Sequence, residues 1–438
     1  MNLTKAVLSF ASLSTICFNT YAYDLTDAFQ QALKHDIQYQ TEFSNLRAAE
    51  ATLPQADSAF APQLSAQGKG NLINNNNSSN PSSSTTSAAG SLVYSQLLYS
   101  EQNEAVTAVA SASIELAKLN IKVAKNDLLI RTAEAYFTIL RAKNSLEFAR
   151  TEQKAIARQL EQAKKRFEVG LTAITDVKEV QALFDKSVAA ELSAENQLDI
   201  SLQSLELITG KIGLNLNTID SDVSFDYPTP NDSEHWAQLA IQNNLNVLKA
   251  QANLAIAAAN RKKSQSVEGM TVNASGSYGI TISDNSASGS NTARDASIGI
   301  LLNLPLFTGG SATAQIAEQE AKYQSAKDGV ILQKRIAAQQ ARTFYLSIVS
   351  GIGQINALHQ ASISSQTALD ATNAGFEVGT RTSVDVLSSI KETYRSQRDE
   401  SSSRYDYLIN LLKLKQATGT LNDQDIAQIN RFLSNKSN

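Results

Sequence analysis

Few side chains in this sequence are spaced for chemistry, and the two that stand out are carboxylates. Asp176 lies in FEVGLTAITDV, residues 167–177, and Asp385 in FEVGTRTSVDV, residues 376–386. In each copy a glycine (Gly170, Gly379) interrupts helix-forming sequence and a Thr or Ser follows that can cap a new helix. The Asp then falls in that helix's first turns, where its charge meets unpaired N–H groups. No catalytic constellation surrounds either one. His35, His235 and His359 are far apart without ligand-like neighbours, so they read as ordinary polar positions rather than metal ligands. The Ser-rich tracts give no nucleophile context, and no Gly-rich phosphate loop follows a strand. The chemistry on offer is electrostatic, and no enzyme activity, cofactor or metal centre is expected.

The elements that must position the two Asp residues are themselves repeated. Phe167 and Phe376 stand 209 positions apart; AEAYF at 133–137 answers ARTFY at 341–345, LLYS at 97–100 answers PLFT at 305–308, and Gly210 answers Gly419, all at offsets of 208 or 209. Spacing this constant leaves room for few insertions. The chain is therefore expected to be one unit duplicated in tandem, with each Asp at the tip of a tight helical hairpin.

Residues 1–22 carry Lys5, an apolar run over 6–18 too short to span a bilayer, and the small-residue positions a signal peptidase reads. A secretory signal is expected, with the mature chain starting near Tyr23. The one cysteine, Cys17, lies inside it, so no disulfide or thiol chemistry is expected afterwards. A net charge of −4 leaves no basic footprint, and no nucleic-acid partner is expected. With 18% charged residues and 6 prolines among 438, the composition suits long helices with small side chains at their contacts.

Each half opens on helical sequence, 23–61 and then 235–269. Two alternating segments follow in each, 62–73 and 87–98, then 270–283 and 295–304, joined by the polar loops NNNNSSNPSSSTTS and SDNSASGSNT. In the clearest one, Met270, Val272, Ala274, Tyr278, Ile280 and Ile282 share one face with Gly276, while the other face is polar apart from Gly279. Lengths and alternation suit tilted membrane strands, although a half-buried soluble sheet alternates too. The apolar faces are sparse for a soluble core, and Tyr99 and Phe307 stand just beyond the second strand of each half, where an interfacial aromatic belt would lie. Four strands cannot close a barrel, so several chains must contribute.

Long helices over 101–167 and 309–376 contain no proline and would each run about 100 Å. In the first, one stripe (Leu116, Leu119, Val123, Ile130, Ala133, Phe137, Leu140) and a second (Ile114, Ile121, Leu128, Ala135) lie on nearly opposite sides, as in a helix with neighbours left and right in the wall of a tube. Shorter helices, 172–209 and 381–418, return from the hairpins. A connector, 211–234, separates the first repeat (23–210) from the second (235–419), and a C-terminal segment, 420–438, carries Ile426, Ile429 and Leu433 at helical spacing.

With this order given twice, VGLTAITDV and VGTRTSVDVL at the hairpins, LPLFTGG after the last strand and RYDYLINLLKLKQATGTLNDQD near the end, the chain resembles the TolC family of outer-membrane efflux and secretion proteins over about residues 23–430. The resemblance implies an α+β membrane protein: a homotrimer whose chains each give four strands to one β-barrel in outer-membrane lipid. That barrel is continued by a long α-helical coiled-coil barrel in the periplasm. It implies a passive exit duct, gated at the periplasmic entrance, for a tripartite multidrug efflux pump, a type I protein secretion system or both. The partners implied are a periplasmic adaptor (membrane fusion protein) and an inner-membrane RND or ABC pump. The residues alone leave a soluble periplasmic coiled-coil scaffold or a helical pore-forming toxin as alternatives.

The resemblance also assigns roles. Asp385 matches a carboxylate that rings the entrance once per chain; three such charges would attract cations and raise one another's pKa. Ser388 stands where the family has a second acid, so any cation binding at the Asp385 ring is expected to be weak. Arg381 and Thr175 match positions that link neighbouring helices in the closed state. Asp176 matches a carboxylate paired with a Tyr hydroxyl, yet Phe376 cannot donate a hydrogen bond, and Gln159 faces Asn373 where an acid is expected. The closed state is thus expected to rest on fewer polar links. Val169, Gly170 and Leu171, with Val378, Gly379 and Thr380, match the tips that meet the adaptor. Without the resemblance, both Asp residues read as helix N-terminal charges and the tips as plain turns.

Overall fold

The structure, a computed structural model, describes residues 23–77, 80–211, 216–219, 225–285 and 289–434. The expected signal at 1–22, parts of the connector and the end of the tail lie outside the described residues. In chain order the elements are α1 (Leu25–His35), α2 (Ile37–Asp57), β1 (Gln63–Asn77), β2 (Asn80–Ser100), α3 (Glu101–Glu168), α4 (Ile174–Thr209), β3 (Thr218–Ile219), α5 (Ser233–Asn243), α6 (Leu245–Gln265), β4 (Thr271–Asn285), β5 (Gly289–Asn303), α7 (Ser311–Glu377), α8 (Ser383–Ala417), α9 (Asp423–Asn430) and β6 (Leu433–Ser434).

Where the sequence pattern runs as one helix at the start of each half, the structure has two. The first break is at Asp36, whose N–H still bonds the Ala32 carbonyl while its carboxylate accepts from Tyr39 N–H at 2.8 Å and caps α2. Asn244 does the same between α5 and α6, accepting from the N–H groups of Asn246 (2.9 Å) and Val247 (3.2 Å). Neither joint carries Gly or Pro, so the helical period passes through both unbroken.

β1, β2, β4 and β5 form one antiparallel sheet in that order, leaving β1 and β5 as open edges. The strands overrun the expected segments at the loop end: Ser84, Thr85 and Thr86 pair with Asn74, Ile73 and Leu72, because a backbone ladder needs no apolar side chains. Tyr99 falls inside β2 rather than beyond it. A bulge between Leu97 and Tyr99 restores pairing with Val272 and carries the strand to Ser100. Phe307 does lie past β5, and it is exposed. Along the sheet the alternating apolar residues stay open, up to 94% for Ile298. Such a face suits lipid, since among the described residues no other layer covers it.

α3 and α7, at 68 and 67 residues, each extend about 100 Å. The main core sits part-way along them as a belt, where Phe29 of α1, Tyr136, Phe137 and Leu140 of α3, Ile348 of α7, Leu408 and Leu412 of α8 and Ile426 of α9 are fully buried together. β3 and β6 pair beside it. The halves are clamped alike: a Cβ on Gly210 would come within 2.4 Å of the His35 ring, and one on Gly419 within 2.0 Å of the Asn243 carbonyl oxygen. Each return helix therefore ends pressed against the tail of its own half's first helix.

Candidate functional site

At the far end from the sheet, α3 turns into α4 and α7 into α8. Gly170 and Gly379 occupy the left-handed region (φ 75° and 79°), which L-side chains rarely adopt. Leu171 N–H bonds the Arg166 carbonyl and Thr380 N–H the Gly375 carbonyl, both at 2.8 Å, closing two equivalent turns. Val169, Leu171 and Val378 project from them and are largely exposed.

Two small apolar clusters tie the hairpins together. Leu387 of α8 is buried among Ile156, Leu160 and Ala163 of α3 and Val177 and Val180 of α4. Phe376, Val386, Leu369 and Ile390 pack with Ala155 of α3 alongside. Nearer the tip lies a cleft of about 390 Å³ whose lining includes Arg166, Thr172, Asp176, Glu179, Phe376, Gly379, Arg381 and Thr382.

The two Asp residues are held differently. The Thr172 hydroxyl donates to the Asp176 carboxylate, with Thr175 Oγ1 at the edge of reach at 3.5 Å; the residue before α4 is Ala173, which has no side chain to cap it. Asp385 belongs to a complete capping box: Thr382 N–H and Oγ1 both donate to its Oδ2 at 2.9 Å, and its own N–H donates to Thr382 Oγ1 at 3.2 Å. The Thr382 N–H, the Thr382 hydroxyl and then the Arg381 charge hold the Asp385 carboxyl below the usual carboxylate range.

Asp176, Phe376, Gly379 and Arg381 thus meet at one cleft. Arg381 drapes over Gly375, where a Cβ would stand 2.8 Å from Arg381 Cγ. Thr175 is exposed and is not part of the cleft lining, and within one chain no hydrogen bond joins it to Arg381. Gln159 and Asn373 are half-buried and not hydrogen-bonded to each other; Gln159 Oε1 is buried without a partner. Of the caps expected after the two glycines, Thr382 caps α8 while Thr172 bonds the Asp176 side chain instead of capping α4; the participant not singled out in the sequence is Arg166, whose guanidinium carbon lies 4.8 Å from the Phe376 ring centroid. Thr382 three places before Asp385 is a legible capping signal, whereas nothing local links Arg166 to Phe376. Among the described residues no group of three His, Cys, Asp or Glu side chains converges to hold a metal.

Comparison with known proteins bears on the whole chain. The model of the outer membrane efflux protein family matches residues 28–211 and 236–420, one match in each half. Outer membrane protein TolC of Vibrio cholerae is 35% identical over 426 residues, 97% of both chains. Outer membrane protein TolC of Escherichia coli K12 is 30% identical, over 97% of this chain and 87% of the relative. In fold, the crystal structure of the Campylobacter jejuni CmeC outer membrane channel matches 100% of this chain and 99% of that one, with a TM-score of 0.79 at 14% identity. The open four-stranded sheet is accordingly one chain's share of a trimeric β-barrel, continued by an α-helical barrel and built from two tandem repeats. Its place is the outer membrane, reaching into the periplasm, and its work is that of an efflux/secretion channel. A family match in each repeat and identity of 30% or more along nearly the full length make this chain a member of the outer membrane efflux protein family.

Proposed function

We propose that the channel is a passive exit duct whose hairpin tips form a gate at the periplasmic entrance. The supporting observation is where the packing lies: a continuous buried belt part-way along α3 and α7, but only two small clusters and a cleft joining the hairpins at the tips. An end held this lightly can open while the belt stays folded. In this reading Asp385, once per chain, lines the entrance; Thr382 keeps it ionised, while repulsion among three copies opposes that and leaves a weak cation site. Arg381, with Thr175 and Asp176, links neighbouring helices when the gate is closed. Gln159 and Asn373 add little, since they make no bond to each other.

The exposed Val169, Leu171 and Val378, presented with Gly170, Gly379 and Thr380, form the surface that a periplasmic adaptor grips. An inner-membrane pump of the RND or ABC class supplies the energy, and the duct itself catalyses nothing. A soluble scaffold or a helical toxin would have no use for a lipid-suited sheet with two open edges. Replacing Arg381 with Ser is expected to raise single-channel conductance in a planar bilayer; unchanged conductance would remove Arg381 from the gate. Deleting the gene and measuring drug sensitivity beside the secreted proteome assigns the cargo.

A further inference from the structure

We propose that Arg166 is a latch residue, holding the second hairpin shut against the first through the face of Phe376. The inference rests on the gate reading above and names a part of it that no motif supplied. Arg166 sits in the last turn of α3, and its guanidinium carbon lies 4.8 Å from the centre of the Phe376 ring at the end of α7. That is within the range at which a guanidinium is attracted to the negative face of an aromatic ring. Phe376 is 8% exposed, packed by Val386, Leu369 and Ile390, so the ring is a fixed platform and not a loose surface group. The contact crosses between the hairpins at their tips, where the two clusters above it thin out into the open cleft.

This contact does work that a hydrogen bond cannot do in this chain. Phe376 has no hydroxyl, and the Asp176 carboxylate across the cleft is already taken by the Thr172 hydroxyl within its own hairpin. What the phenyl ring still offers is its face, and Arg166 covers it. Spreading the hairpins separates the pair. Asp176 and Glu179 line the same cleft and offer carboxylates to the freed guanidinium. The latch is thus a cation on a ring, less dependent on pH than a link that needs a titrating partner.

The test is single-channel conductance of the full-length trimer in a planar bilayer, with heat resistance of the trimer as the control for folding. Arg166→Gln is expected to shift the open-to-closed ratio about two- to fivefold toward open, the size of an ordinary cation–π contact. Arg166→Lys should recover part of the closure. Phe376→Leu should open the channel as Arg166→Gln does, and the double variant no further than either single one. Heat resistance should be unchanged throughout. If Arg166→Gln leaves conductance unchanged while Arg381→Ser raises it, the latch is wrong and the gate stands; if neither raises it, both fall. If Arg166→Gln opens the channel but Phe376→Leu does not, Arg166 acts through Asp176 or Glu179 and the proposal is overturned.

Discussion

The belt and the tips share the helices α3, α4, α7 and α8 and hold together in opposite ways. In the belt, α3, α7 and α8 bury a continuous apolar core with α1 and α9, reinforced by the Arg131 guanidinium straddling the Asp36 carboxylate at 2.9 and 3.1 Å. At the tips the same α3, α7 and α8 share two small clusters with α4, a cleft, and a guanidinium on a ring. The contrast teaches that one rod can be locked at one level and released at another by the density of side-chain contact alone. Substitutions at the two levels should therefore separate folding from gating.

The largest effect is expected in the belt. Phe137 is fully buried, with the rings of Tyr136 and Tyr405 each 5.8 Å away. Phe137→Ala should cost about 3–5 kcal/mol per chain and abolish the heat-resistant trimer. A tip residue of similar burial should behave differently. Leu387→Ala should cost about 2–3 kcal/mol, confined to the hairpins. The trimer should survive while conductance rises and amide exchange quickens in α4 and α8 near the tip. If Leu387→Ala dissolved the trimer as Phe137→Ala does, the two levels would be one cooperative unit.

Acid sharpens the same contrast. Burial tends to raise the Asp36 pKa, but the Arg131 hydrogen bond and the Tyr39 N–H outweigh it, and the carboxyl sits below its ordinary value. A carboxylate whose folded pKa is depressed adds stability above its unfolded value, about 3.9, and loses it as pH falls through the folded value. Asp36→Asn should cost on the order of 1–2 kcal/mol at neutral pH, discounted because the Arg131 side chain remains 33% exposed. Below about pH 4 the difference between wild type and Asp36→Asn should shrink, as read from thermal unfolding at each pH.

Much of this architecture was legible because it is periodic. Duplication, alternating strands and double-striped helices all repeat a rule over many residues, so local exceptions cannot hide it. The joints were not. Asp36 and Asn244 stop a helix by side-chain hydrogen bonds to the next turn, a choice that only the packing around them enforces. The polar ends of β1 and β2 read as loop by composition, yet they pair because the ladder is already in register. At the tips, the capping box of Thr382 and Asp385 could be read from four consecutive residues. The Arg166 contact could not, since its two residues belong to different repeats and meet only when the hairpins pack.

The smallest expected effect tests the asymmetry between the hairpins themselves. Their motifs align so that Ala173 occupies the place of Thr382, and α8 has a side-chain cap where α4 has none. Thr382→Ala should weaken the start of α8 by about 1 kcal/mol, whereas Ala173→Ser should strengthen α4 by a similar or smaller amount. The proposed gate should also respond, because Thr382 supplies both hydrogen bonds that favour the charged form of Asp385. With its folded pKa depressed, Asp385 keeps its charge as pH falls through the ordinary carboxylate range and loses it only below. Removing the Thr382 hydroxyl raises that point. The pH at which cation block of the conductance disappears should therefore move upward in Thr382→Ala and stay where it is in Ala173→Ser. A shift of equal size in both variants would mean that Asp176 and Asp385 share one electrostatic site, and that the difference in their capping has no bearing on the entrance.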